Sequence, residues 1–162
     1  MSKRRFGLST LGVVAAFTVL SAPCSAGTTV FGMKLGETRV MHAVEIHNME
    51  KVGFMRDTLG DIYRIQPGQL SWLNEAERVD AIFDKENYLD AVLVRGSSKY
   101  YDRTESELAR RYDKVKIQEG FRGDSYAVFT DHGSDIHIRA PHMEGHFLLI
   151  FLTQKFKHRD QH

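Results

Sequence analysis

Residues 78–94 read RVDAIFDKENYLDAVLV and decide the fold class of the chain. Two runs rich in apolar and β-branched side chains, residues 78–83 and 88–94, lie on either side of the polar residues 84–87. Apolar runs of strand length that flank a short polar turn predict a β-hairpin. Because a hairpin joins antiparallel neighbours, the sheet that contains it is expected to be antiparallel.

Helical patterns lie on both sides of this hairpin. Residues 39–48 carry apolar side chains at helical spacing, with Thr38 as the expected N-cap. Residues 99–112 predict a second helix, in which Leu108 faces the core. Thr104 also fits a capping box, which leaves a later start of this helix open.

The remaining apolar runs predict further strands over residues 52–55, 62–65, 125–130, 134–140 and 146–156. The last of these is strongly apolar, as in a central strand covered on both sides. The order of helix, strands, helix and strands predicts an α+β class, an antiparallel sheet with about two helices packed on one face. The sequence shows no internal repeat.

The chain begins with the features of a secretory signal peptide. Lys3, Arg4 and Arg5 precede an apolar run over residues 6–20, and small residues follow up to Ala26. The apolar run is shorter than the roughly 20 residues that span a bilayer. We therefore expect cleavage of residues 1–26. The remaining residues, 27–162, would form a single periplasmic or secreted domain with no stable membrane span.

Cys24 is the only cysteine of the chain and leaves a second fate open. A cysteine just after an apolar run is the site of lipid attachment in bacterial lipoproteins. Pro23 departs from that motif, in which a small flexible residue precedes the cysteine. Cleavage after Ala26 would remove Cys24, and the mature domain would then have no disulfide, no thiolate metal site and no thiol nucleophile.

Composition argues against several classes of function. The 22 Lys and Arg residues nearly balance the 21 Asp and Glu residues, so the chain lacks the basic excess of a nucleic-acid binder. It contains no Gly-x-Ser-x-Gly elbow and no P-loop. No pattern places two carboxylates together, as acid–base catalysis requires. We therefore expect no cofactor and favour a domain without catalytic activity. The carboxylates considered are Asp57, Asp61, Asp80, Asp84, Glu86 and Asp90.

Histidines near the C-terminus are the candidate metal ligands. His137, His142 and His146 lie close together in the sequence, and imidazole is the commonest metal ligand in proteins. A closed zinc site needs three or four converging ligands, and this spacing matches no known ligand pattern. The alternative is a set of surface histidines near a strand end.

Aromatic side chains are the candidate partner-binding residues. Trp72, Tyr100 and Tyr101 fall in or beside predicted loops and helix starts, and Tyr and Trp are common in interface hot spots. Because Tyr100 and Tyr101 are adjacent, they cannot both face the core of one helix. The alternative is half-buried packing against the domain itself.

Residues 31–38, FGMKLGET, resemble the Gly-x-x-Leu-Gly-x-Thr/Ser start of small exported bacterial proteins. Some of these are similar to β-lactamase-inhibitor proteins and to the small lipoprotein of the outer-membrane assembly machine. The resemblance implies a motif that turns the chain into a short helix, two helices on an antiparallel sheet, and protein binding. A second copy of the motif, as in the duplicated inhibitors, is absent from the sequence.

Two functions follow as hypotheses. The first is an exported, non-catalytic binding or interaction domain of unknown partner, which is expected to be another protein or another component of the cell envelope. The alternative is a histidine-based metal-binding protein or metal-dependent hydrolase that uses His137, His142 and His146.

Overall fold

A computed structural model describes residues 27–57, 59–66, 72–73, 75–119 and 124–159, with the backbone alone for residues 116–119 and 159. The predicted signal peptide, residues 1–26, lies outside the described residues, as does Cys24. Within these ranges, no helix has both the length and the apolar character needed to cross a bilayer.

The described residues form an eight-stranded antiparallel sheet, a small two-stranded hairpin and three short helices, which confirms the α+β prediction. In chain order the elements are β1 (Thr29–Val30), β2 (Met33–Lys34), α1 (Val40–Ile46), β3 (Met49–Met55), β4 (Gly60–Ile65), β5 (Ala76–Phe83), β6 (Leu89–Ser97), a 3-10 turn (Ser98–Tyr100), α2 (Tyr101–Arg111), β7 (Asp113–Glu119), β8 (Ser125–Asp131), β9 (Ser134–Ala140), β10 (His146–Thr153) and α3 (Gln154–Arg159).

The sheet is built from two units of the same topology. Its strands lie in the order β3-β4-β5-β6-β10-β9-β8-β7. A helix followed by four antiparallel strands occurs first as α1 with β3–β6 and again as α2 with β7–β10. The units meet where β6 pairs with β10, and Leu93 faces Ile150 there. The fold therefore has an internal repeat of topology that the sequence does not show.

One face of the sheet, called the covered face here, packs against α1, α2 and the β1–β2 hairpin. Phe83, Phe129, Phe147 and Phe151 are fully buried in its core. Side chains alternate between the faces of a strand, so every second residue of the central strands enters this core. The helices are held to the sheet mainly by burial of this apolar surface.

The FGMKLGET segment joins the hairpin to α1. Phe31 and Gly32 both have positive φ, 51° and 79°, in the turn between β1 and β2. Leu35 is buried, and the Gly36 N–H donates to the carbonyl oxygen of Leu89 at 2.7 Å. The segment thus turns the chain from a strand into α1 and docks it onto the start of β6.

The prediction that Thr38 caps α1 is wrong. Arg39 occupies the N-cap position without a side-chain hydrogen bond. The Thr38 hydroxyl instead accepts a hydrogen bond from the Lys34 backbone N–H at 2.7 Å. The later start of the second helix is also wrong, because α2 begins at Tyr101, and Thr104 is buried inside it.

Three elements, β2, α3 and β7, were not predicted from the sequence. The central strand predicted for residues 146–156 ends at Thr153, where the chain turns into α3. β7 is an edge strand paired only with β8, and its sequence carries few apolar side chains. An edge strand buries little surface, and the alternating apolar pattern that reveals a buried strand is therefore weak.

Candidate functional site

The second face of the sheet, called the open face here, is covered only in part. α3 lies over one end, where Phe156 packs on a small apolar cluster that includes Ile82, Ala91 and Leu152. At the other end of β5, β6, β9 and β10, no helix of the described chain covers the side chains. This uncovered end is the candidate functional site.

Two buried carboxylates hold α3 in place. Lys155 Nζ donates to Asp84 Oδ2 at 2.6 Å, and Lys157 Nζ donates to Asp135 Oδ2 at 2.5 Å. Burial acts to raise the pKa of both carboxyls, but the hydrogen bonds that they accept outweigh it and leave each pKa below its usual value. Both carboxylates are therefore charged at neutral pH and paired with lysines of α3.

Three arginines lie in one cross-strand row at the uncovered end. Arg78 of β5 pairs with Arg95 of β6, which pairs with Leu148 of β10, which in turn pairs with Arg139 of β9. Directly paired residues point to the same face of a sheet. We call Arg78, Arg95, Leu148 and Arg139 the arginine row.

The arginine row borders a pocket of about 220 Å³. Leu93 and Leu148 form its apolar part, while Pro141 and Glu144 line it from the loop between β9 and β10. The arginine side chains contribute the charged part. The pocket is smaller than the roughly 300–1,000 Å³ typical of sites for drug-sized molecules.

The arginines differ in their partners. Asp80, which is nearly buried, accepts from Arg78 Nε at 2.6 Å and from Arg64 Nε at 3.0 Å. Arg95 lies 3.1 Å from Nδ1 of His146. The side chain of Arg139 forms no hydrogen bond or ion pair with any other residue that the structure describes, although its backbone pairs with β8 and β10. Positive charge at this end therefore lacks a full set of carboxylate partners.

His146 links the arginine row to the loop. Its Nδ1 lies 2.7 Å from the Glu144 carbonyl oxygen, and its Nε2 lies 2.9 Å from Glu144 Oε2. Nδ1 can donate to the carbonyl oxygen or accept from Arg95, but it cannot do both at once. Within the described residues, the guanidinium of Arg95 therefore has one side-chain partner, an imidazole nitrogen that also lies beside the Glu144 carbonyl oxygen.

The predicted histidine ligands lie on or beside the open face. Within the described residues, no group of three or more His, Cys, Asp or Glu side chains is placed to hold a metal ion. His142 is exposed in the loop, while His146 is engaged by Glu144 and Arg95. His137 Nδ1 lies 2.9 Å from the Tyr126 hydroxyl, and burial lowers the pKa of His137.

The predicted partner-binding aromatics belong to the opposite side of the molecule. Trp72, Tyr100 and Tyr101 are half-buried and pack against the covered-face core. The Trp72 ring stacks on Phe31 with centroids 5.8 Å apart. Burial, together with nearby acidic side chains, raises the pKa of Tyr101 to about 12. These contacts agree with the packing alternative, and none of the three side chains lines the open-face pocket.

The arginine row was not identified as a site from the sequence. Arg78, Arg95 and Arg139 stand at polar positions of separate strands, where a charged residue is ordinarily solvated. Only the register of four neighbouring strands brings them into one line. The available signal was their shared position on the polar side of predicted strands, which becomes informative only once the strand order is known.

The arrangement of this site can support recognition of negative charge. A guanidinium presents donors in a planar fork that matches the two oxygens of a carboxylate. The carboxylates at the pocket already have partners, since Asp80 binds two arginines and Glu144 binds His146. Comparison of the chain with known protein families, with curated proteins and with solved structures found no match.

Proposed function

We propose that the mature chain is an exported, non-catalytic binding domain, and that the open face of the sheet is its binding surface. The observation that carries the proposal is the arginine row, which lines one pocket and in which neither Arg95 nor Arg139 has a carboxylate within ion-pair distance among the described residues. Charged groups that break the ordinary rules of strand pairing are expected at functional sites.

The fold supports the choice of face. α1, α2 and the hairpin already cover one side of the sheet, whereas α3 leaves the ends of β6 and β10 uncovered on the other. The partner that we propose is another protein of the cell envelope, in keeping with the signal-peptide pattern of residues 1–26.

Photo-crosslinking in intact cells of the source organism tests the binding surface. Met143 is 91% exposed in the loop beside the pocket, and Met41 is 78% exposed on α1. A photoreactive phenylalanine analogue at Met143 should yield a crosslinked envelope protein. The same analogue at Met41, the matched control, should not. Identical products from both positions, or none from Met143, would overturn the proposal.

Export is tested separately by mass spectrometry of the chain recovered from the cell envelope. A chain that begins at Gly27 is the expected result. A chain that begins at an acylated Cys24 would show lipid attachment instead. A chain that retains residues 1–26 and stays with the cytosolic fraction would contradict export.

A further inference from the structure

We infer that the arginine row binds acidic side chains of a protein partner, so that Asp or Glu carboxylates of the partner supply its missing counter-charges. The inference rests on the proposed function, because it names the chemistry by which the open face would recognise its partner. It assigns the role of binding residues to Arg95 and Arg139.

Like charges lie opposite each other in the arginine row. Arg78 and Arg95 are directly opposite each other on neighbouring strands. Like charges at such positions destabilise a sheet. Arg139 lies two strands beyond Arg95, about 10 Å away at usual strand spacing. A carboxylate between these groups would turn the repulsion into charge-assisted hydrogen bonds.

Three carboxylates of the open face already form ion pairs with other residues. Asp80 is shared by Arg64 and Arg78. At the opposite end of the face, Asp84 and Asp135 pair with the lysines of α3. In the described part of the chain no carboxylate lies within ion-pair distance of Arg95 or Arg139. Any carboxylate that pairs with Arg95 or Arg139 would therefore come from outside these residues.

The size of the pocket limits the kind of group that can occupy it. A pocket of about 220 Å³ suits a side chain rather than a cofactor or a drug-sized molecule. The charged row extends across four strands, so it offers separate contacts to several acidic groups. Leu93 and Leu148 add apolar surface between these contacts. Arginines beside apolar contacts are typical of interface hot spots.

Fluorescence anisotropy with a labelled oligoglutamate peptide tests this inference on the mature chain. An oligoglutamine peptide of equal length is the neutral probe. We expect oligoglutamate to bind and oligoglutamine not to bind, with an affinity that falls as salt is added. Oligoglutamate binding no tighter than that of oligoglutamine would overturn the inference.

Matched arginine variants locate the binding. Arg139→Gln and Arg95→Gln should each weaken oligoglutamate binding about tenfold, the effect of about 1.4 kcal/mol. Arg56→Gln is the control, because Arg56 is exposed in the turn after β3 and has no side-chain partner within the described residues. It should change binding less than about twofold. Equal losses in all three variants would show general attraction between charges and would contradict a specific site.

Other occupants give different results. Glutarate or orthophosphate that displaces the peptide at matched concentration would assign the row to a free small anion and overturn the inference. Self-association of the mature chain that Arg139→Gln abolishes would assign the surface to a second copy, with the same consequence. If oligoglutamate fails to bind while crosslinking from Met143 persists, the acidic chemistry is wrong but the binding surface stands.

Discussion

Neighbouring residues of the same strand lie in different surroundings on the two faces of the sheet. On β10, Phe147 is fully buried in the covered face, whereas the next residue, Leu148, stands half-buried between arginines on the open face. On β6, Gly96 is buried and Arg95 beside it is exposed. The covered face has apolar partners for its side chains, while the open face leaves Arg139 without an ion-pair partner among the described residues.

This difference separates the face that stabilises the fold from the face that we propose binds a partner. Burial of apolar surface is the dominant favourable contribution to folding, so the covered face is expected to determine the free energy of unfolding. The arginine row adds repulsion between strands, which lowers the free energy of unfolding. Substitutions of adjacent residues on opposite faces should therefore change the free energy of unfolding by different amounts.

Phe147→Ala should lower the free energy of unfolding by about 3–5 kcal/mol, because it leaves a cavity in the covered-face core. Leu148→Ala should cost only about 1 kcal/mol, since a half-buried side chain loses part of the roughly 1.5–3 kcal/mol of full burial. Urea unfolding of both variants measures the difference. Similar losses would mean that the open face is as well packed as the covered face.

Gly96→Ala should lower the free energy of unfolding by about 1–3 kcal/mol. A Cβ at this position would lie 2.7 Å from the ring of Phe147, its cross-strand partner, and 3.1 Å from the Glu75 carbonyl oxygen. Because one neighbour is backbone, the crowding cannot be relieved by a rotamer change alone. Gly133→Ala adds a methyl group in open space and serves as a steric control, although its positive φ carries a cost of its own.

These two predictions also show what the sequence reveals and what it does not. The hairpin of β5 and β6 was predictable because its apolar runs flank a polar turn, and β10 was predictable because it is almost wholly apolar. The contact of Gly96 with Phe147 was not predictable, since the two residues meet only through pairing of distant strands.

The candidate site was the least predictable part for the same reason. Histidine and aromatic residues were predicted as site residues because of their side-chain chemistry. Arg78, Arg95 and Arg139 instead occupy ordinary polar positions in three separate strands. Their meaning depends on the order β5-β6-β10-β9, which places the second unit of the topological repeat against the first. No local spacing in the sequence encodes that order.

Asp84→Asn should lower the free energy of unfolding by about 1 kcal/mol at neutral pH, because Lys155 loses its nearer carboxylate at 2.6 Å and keeps Glu86 at 3.4 Å. The pKa of Asp84 is lower in the folded chain than its ordinary value. Its contribution is therefore complete above about pH 4 and is lost as the pH falls through the lower folded pKa. Urea unfolding across this range should show the two proteins converging in acid.

Asp57→Asn is the control for this acid prediction, because Asp57 is exposed in the turn after β3. The curve of this variant should run parallel to that of the unsubstituted chain at every pH. A difference between Asp84→Asn and the unsubstituted chain that persists unchanged at the lowest pH would contradict the ion-pair explanation. It would indicate that the amide disturbs the turn itself, where Asp84 accepts from two backbone N–H groups.

Arg95→Gln should have the smallest effect on stability, between no change and a gain of up to about 1 kcal/mol, because it removes the like charge opposite Arg78. Urea unfolding beside Arg56→Gln measures this effect. A residue that leaves stability unchanged or improved when replaced, but weakens binding, has no structural reason to be arginine. A loss above about 1 kcal/mol would instead show that the contact with His146 supports the fold, and the row would then belong to the scaffold as the covered face does.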